Sequence, residues 1–523
     1  MITVWRRDRQ EGRTQPARAG RAALVIAGLS ALFPGTPAAT ERAARPDGRL
    51  EVAVYALPPG LGNPHTQTNV PAIFLWPAIL EPLTVIGADG AVEPALALSW
   101  QRIDPLTWRF ELRPDVRFSN GEAFDARAAA STLDYLRSPA AAGMMVAGEV
   151  AHISRTRVHS PLALDVITHE PDPLLPRSLA VVRIVPPDYW DEVGPAGFAR
   201  LPVGTGSFRL RHWGAARVEL EAWEGSWRTP RVRELVFHEL PEAPSRVQAI
   251  RAGAVDIAVQ LGPDDEPALR AAGARLISRP AGSVLGLSFL LTRPGPLQDL
   301  RVRQALNLAI DRRQIVDHLL AGRTEVASQH ASRHAFGHHP SLAPYAYDPD
   351  AARALLAEAG YPDGFRLTAE VAIGVGANDA AVYQQVAADL RGIGVDLELR
   401  SIPMQLLVRR LFTGDWRGEA FGMGYDAAPH LDGWRPFRQH SCLWPRPWFC
   451  DPALTAQVEA VGLSGELEPR AEAMHRLLEA YHAAMPSLPL YEVVGFDAVG
   501  ARVRNYRNVF GVINFHELEL VEQ

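Results

Sequence analysis

The chain has 523 residues, 47% of them hydrophobic and 21% charged, the make-up of an ordinary globular protein and not of a disordered or fibrous one. Its length suggests about three domains, and a formal net charge of −6 argues against nucleic acid or an anionic membrane as partner. All 53 basic residues are arginine, since the chain has no lysine; Schiff-base chemistry, pyridoxal phosphate chemistry and a Walker-type ATPase each need a lysine amine and are excluded as this chain's own activities.

Arg6, Arg7, Arg9, Arg13, Arg18 and Arg21 precede an apolar stretch at residues 22–33, which Pro34, Gly35 and the small residues Thr36, Pro37, Ala38 and Ala39 follow. The stretch is shorter than the roughly 20 residues of a membrane span. Residues 1–39 are therefore predicted to be a cleavable secretory signal, cut near Ala38 or Ala39. The Arg6-Arg7 pair leaves a twin-arginine route open, although the absence of apolar residues directly after it favours general secretion. The leader holds six arginines and two acids, so its loss makes the mature chain more acidic by four charges. With no cysteine near the cut to carry a lipid, a freely diffusing periplasmic protein without a stable membrane anchor is expected.

At residues 97–121, Trp108, Phe110 and Leu112 alternate with Arg109 and Glu111, the period of a half-buried strand, and Ser119, Asn120 and Gly121 supply a turn. Two apolar segments, residues 284–291 and 488–494, read as extended chain. Residues 328–340 carry His330, His334, His338 and His339, which either chelate a metal or decorate an exposed loop. Asp348 as N-cap, Pro349 at the first helical position and Gly360 at the end define a helix whose Ala352, Leu355, Leu356 and Ala359 share one face. Cys442 and Cys450 lie in a Trp/Pro-rich loop with Trp434, Trp444 and Trp448; in an oxidising compartment a disulfide is favoured over two reduced thiols. A G-x-S-x-G elbow, an H-E-x-x-H pair and a supported carboxylate pair are all missing, so neither an enzyme nor a cofactor is expected.

Several of these blocks occur in one order: residues 97–121, Pro202 to Phe208 (PVGTGSF), residues 221–228 with Trp223 and Trp227, the AGAVDI at 252–257, Leu300 to Arg312 (LRVRQALNLAIDR) and residues 347–365. In that order they resemble the family 5 solute-binding proteins, the peptide- and nickel-type receptors of ABC importers. The resemblance implies an α/β, bilobal periplasmic-binding-protein fold of type II with an extra α/β subdomain and two hinge strands. Lobe I would comprise residues 46–84, 198–284 and 491–523, the subdomain 85–197, and lobe II 285–490. It implies capture of a small solute between the lobes by a monomer, and delivery to two permease subunits whose ATPases are separate chains.

Phe421 to Pro429 (FGMGYDAAP) resembles the family segment in which an aspartate accepts the ligand's ammonium group, which makes Asp426 the expected anchor, with Tyr425 and Met423 beside it. Met423 stands where a Trp is common, Pro429 arrives one residue early and a second acid is missing. A peptide or amine-bearing ligand is expected, with a nickel chelate or haem as the alternative inside the family and a sensor-coupled receptor outside it. Asn63 and Trp76, near the ligand entry, and Thr205, in the glycine turn, complete the expected contacts.

Overall fold

In a computed structural model residues 47–521 are described, apart from residues 59, 69–71 and 375; the predicted leader lies outside the described residues. A mixed eleven-stranded sheet has Val395–Ser401 at one edge. It continues through Phe365–Val371, Ala420–Gly422, Arg275–Phe289, Ser487–Val499, Ile257–Ala258, Arg49–Val54, Glu234–Glu239 and Arg217–Ala222 to Phe208–Trp213, while Tyr425–Asp426 adds to Arg275–Phe289.

The two central strands, of 15 and 13 residues, pair antiparallel from Arg275 opposite Val499 to Ser288 opposite Ser487. The extended reading of residues 284–291 and 488–494 thus falls largely within this pair. Its register shifts twice, between Pro280 and Val284 and between Leu285 and Gly286, and such irregularities bend a ladder and increase its twist. On one side a core of Val52, Phe110, Leu220 and Phe237 draws on residues 50–259 and 499–518. On the other, Phe289, Leu306, Val371 and Leu490 form a second core, and Phe421, Tyr425, Trp448 and Tyr481 a third. Among the described residues, the long strands and their neighbours join the halves of the sheet.

A separate antiparallel sheet is ordered Ala97–Asp104, Thr107–Leu112, Ala163–Thr168, Ile153–Ser160. The alternation expected at residues 108–112 appears here, with Phe110 and Leu112 buried and Glu111 exposed. Arg109 and Arg157 close on the fully buried carboxylate of Asp165, at 2.7 Å and 2.6 Å. Helix Ala126–Leu136 begins at Asp125, whose side chain accepts the Ala128 N–H at 3.0 Å.

The helix expected after Asp348 spans Pro349–Glu358, and Asp348 accepts the Ala351 N–H at 2.9 Å. Ala352 and Leu356 are fully buried, with Leu355 and Ala359 half-buried beside them. Gly360 has φ +91°, the left-handed conformation that lets the chain leave the helix.

Candidate functional site

Helix Ala72–Ile79 (AIFLWPAI) is apolar on all sides and buried at seven of its eight positions, as expected of a helix that lies inside a fold. Gly204 and Gly206 pack on its C-terminal end: Gly206 N–H donates to Ile79 O at 2.9 Å, and a Cβ on Gly204 would stand 2.0 Å from that oxygen. The close approach explains the two glycines and aims Thr205 at Glu81, whose Oε2 accepts the Thr205 hydroxyl at 2.9 Å and Trp227 Nε1–H at 2.7 Å. Arg228 Nη1 is 3.4 Å from the other carboxylate oxygen. Burial pushes the Glu81 carboxyl above the usual range, against the opposing pull of Arg228 and the two hydrogen bonds. Arg113 and Arg228 both lie over the Trp227 ring, 4.0 Å and 4.2 Å from its centroid.

Beside this cluster is a cavity of about 390 Å³. Its walls come from distant parts of the chain: Ile73 and Trp76 from the apolar helix, Glu81, the hairpin Thr84–Ile86/Val92–Pro94, Val181 and Arg183, Pro429, and residues 507–517 with Phe510. The surface mixes apolar side chains with polar and charged ones, among them Gln67, Glu81, Arg183 and Arg228, and sites of this kind fix a ligand's orientation through such polar groups.

Of the residues expected to touch ligand, Trp76 is on this wall; Asn63, Thr205, Met423, Tyr425 and Asp426 are not, although Pro64 and Pro429, their neighbours, are. Trp76 is 2% exposed and its Nε1–H has no partner. Asn63 Oδ1 accepts the His65 N–H at 3.0 Å, and the Thr205 hydroxyl is committed to Glu81. Tyr425 is 1% exposed and stacks on His440 at 4.0 Å, so its ring is part of a core. Met423 is half-buried against the same core, and its carbonyl accepts the Ser288 hydroxyl at 2.9 Å. Asp426 is exposed; its Oδ1 accepts the Ser283 hydroxyl at 2.6 Å and the Ala428 N–H at 3.0 Å. Among the described residues no donor bonds Asp426 Oδ2.

Three charged groups escape the sequence patterns. Arg183 is 7% exposed, and its one hydrogen bond runs from Nη1 to Ala180 O at 3.5 Å. Burial lowers its pKa to about 10, with Glu81 opposing, so it stays charged at neutral pH. A signal existed: Arg183 is the lone charge in the apolar run from Leu179 to Pro187, as Glu81 is in the run from Ala72 to Val85. The third is Glu149, which lies 3.0 Å from His430 Nε2 and 2.8 Å from Arg435 Nη2. It ties the four-stranded-sheet region to the turn after Asp426, and Arg177 reinforces the tie by donating to His430 O at 3.0 Å and Gly90 O at 2.7 Å.

Cys442 and Cys450 form a disulfide. The histidine run does not behave as one exposed loop: His330 is fully buried between Tyr425 and Tyr481, at 4.7 Å and 6.1 Å, His334 lies against Phe510 at 5.4 Å, and His339 meets Glu479 at 3.1 Å. Among the described residues no group of three or more His, Cys, Asp or Glu side chains could hold a metal ion, and no helix is long and apolar enough to cross a membrane.

Residues 91–441 match the family model described as bacterial extracellular solute-binding proteins, family 5 Middle. The nickel-binding periplasmic protein of Escherichia coli (strain K12) is 31% identical over 364 residues, 64% of this chain and 68% of the relative. A probable di/tripeptide-binding protein 5 of Pseudomonas aeruginosa (strain UCBPP-PA14) is 25% identical over 503 residues, 89% and 94% of the two chains. Among solved structures, HbpA2 from Haemophilus parasuis superposes with a TM-score of 0.76 at 20% identity, covering 91% of this chain and all (100%) of that one. The fold is accordingly the α/β type II fold of periplasmic binding proteins. With residues 91–441 matching the family model and a relative 31% identical over 364 residues, the chain belongs to the family 5 extracellular solute-binding proteins, the substrate-binding components of ABC importers.

Proposed function

We propose that this receptor is a periplasmic monomer that captures a short peptide or another amine-bearing solute and carries it to two permease subunits driven by separate ATPases. One observation carries the reading. The cavity of about 390 Å³ is lined by residues drawn from 64–95, 180–183, 429 and 507–517, segments far apart in sequence that converge on one partly open space. We assign residues 46–84, 198–284 and 491–523 to one lobe, 85–197 to the added subdomain and 285–490 to the other lobe. Cavity residues then come from all three bodies, and their closure around a solute excludes water. Such a closure is favoured by ligand only through contacts made better in the shut form.

Trp76 supplies an apolar wall. Asp426 supplies the acceptor for the ammonium end: Ser283 and the Ala428 N–H orient its carboxylate through Oδ1, and Oδ2 is left to receive the cation. The pre-set rotamer reduces the ordering cost of binding. The relatives are named for binding, which supports capture as the role. The relatives also include a nickel-binding protein; a metal would enter this cavity already chelated, because the described residues offer no cluster to hold it.

Mass spectrometry of the solute released from natively purified protein tests the reading. An amine-bearing compound of peptide size is expected, and calorimetric titration with that compound should show Asp426→Ala binding about 10–100-fold more weakly, the scale of a lost charge-assisted hydrogen bond. Equal affinity in the two proteins removes Asp426 from the site. A nickel chelate or haem in the released fraction replaces the peptide reading.

A further inference from the structure

Glu81 is satisfied, whereas Arg183 is not. Its guanidinium carries five N–H donors, of which a single one makes a bond, at the 3.5 Å limit, to Ala180 O. Its side chain is more than nine-tenths buried yet is part of the cavity wall. A buried cation without a partner is costly. Glu81 offsets part of that cost through its charge, but its hydrogen bonds go to Thr205 and Trp227 and its ion pair to Arg228. The charges of Arg113, Arg183 and Arg228 all act on this one carboxylate, and the cavity wall also carries Arg507, Glu93 and Glu517. A second wall donor, Trp76 Nε1–H, is also unpartnered, and so is one acceptor, Gln67 Oε1.

We propose that Arg183 is the anion anchor of the cavity, and that the solute bears a carboxylate held by this guanidinium with an apolar body against Trp76, Ile73 and Phe510. The inference rests on the cavity being the solute site, and it adds a requirement that Asp426 does not supply. A neutral N–H or O–H on the solute would satisfy Gln67. A ligand without a free amine still binds through Arg183. The carboxylate thus outranks the amine in recognition.

The test uses N-acetyl-L-phenylalanine, which has a carboxylate, an amide N–H, an apolar side chain and no amine, against its neutral partner N-acetyl-L-phenylalaninamide. In titration calorimetry on the mature protein stripped of bound solute, the acid should bind at least tenfold more tightly than the amide. Arg183→Met should bring the two within about twofold, and Arg183→Lys should keep a preference for the acid. Circular dichroism melts establish that each variant is folded; a variant that does not fold leaves the decision to the acid/amide ratio of the wild type. Equal binding of acid and amide, binding of neither, or a preference that survives in folded Arg183→Met overturns the proposal. The receptor reading is scored separately, by small-angle scattering with a peptide-rich growth-medium extract. Compaction on the extract without acid preference discards the anchor and keeps the receptor, while no compaction with any fraction discards the receptor.

Discussion

Glu149 is a carboxylate on which a histidine and an arginine from a distant part of the chain converge. Burial alone would raise its pKa, but the hydrogen bond with His430 and the charge of Arg435 outweigh burial and hold it at about 2. A carboxyl whose pKa is lower in the folded chain than in the unfolded one, where it is about 4.3, adds stability that is complete above the unfolded value. That stability disappears as the pH falls toward about 2. Glu149→Gln is therefore expected to cost about 3 kcal/mol at neutral pH, the scale for a buried pair that loses one partner. In thermal melts its deficit against wild type should shrink steadily from pH 5 to pH 2; a deficit that does not change with pH would mean that packing, not charge, is what Gln lacks. Nothing in the sequence marks this residue, because its His430 partner is 281 positions away. Asp426 is proposed for the opposite reason, since its short run of glycine and aromatic residues resembles a family segment. Its two hydrogen bonds were not legible, as one comes from Ser283 on another strand.

Elements whose signals are local were readable from the chain. The helix Pro349–Glu358 carries its start, its stop and its buried face within a dozen residues, and the alternation at 108–112 needs only its own strand. The long strands were readable as extended chain, but their mutual register depends on residues about 200 positions apart, for which periodicity has no information. The turn at Gly204 falls between these cases: the sequence shows two glycines, and the reason for them is the Ile79 carbonyl of a distant helix. Gly204→Ala would force a Cβ to within 2.0 Å of that oxygen. Separating the turn from the helix should cost about 1–3 kcal/mol and loosen Thr205 from Glu81, measurable as a lower denaturant midpoint with weakened solute binding. The same substitution at Gly253, where a Cβ meets nothing within 4 Å but φ is +66°, isolates the backbone cost of about 1 kcal/mol. A Gly204 variant no worse than the Gly253 variant would refute the close-approach explanation. The disulfide, closing a loop with a sequence separation of 8, is expected to add about 2–3 kcal/mol by restricting the unfolded chain. Replacing both cysteines by serine should lower the midpoint accordingly, without altering the acid/amide preference at the cavity.

At the scale of the molecule, the cavity proposed to hold the solute and the bridges proposed to favour its closure are made by different residues, so affinity and selectivity should be separable. Arg177, bonded to His430 O and Gly90 O, and Glu149, bonded to His430 and Arg435, hold the four-stranded-sheet region against the turn after Asp426. Neither Arg177 nor Glu149 lines the cavity. In a receptor that binds by closing, apparent affinity is the intrinsic affinity multiplied by the fraction of molecules able to close. Removing these contacts lowers that fraction and leaves intact the groups that read the solute. Each charged hydrogen bond is worth about 1.5–3 kcal/mol, so the double variant Arg177→Met/Glu149→Gln should bind about tenfold or more weakly and show a larger radius of gyration in scattering. Its preference between N-acetyl-L-phenylalanine and the amide should nevertheless equal that of wild type, in contrast to Arg183→Met, which loses preference and keeps the compact shape. A double variant that stays compact and binds as tightly as wild type would show that the halves are held together without these bridges. One that loses its preference together with its affinity would place the bridges inside the recognition site.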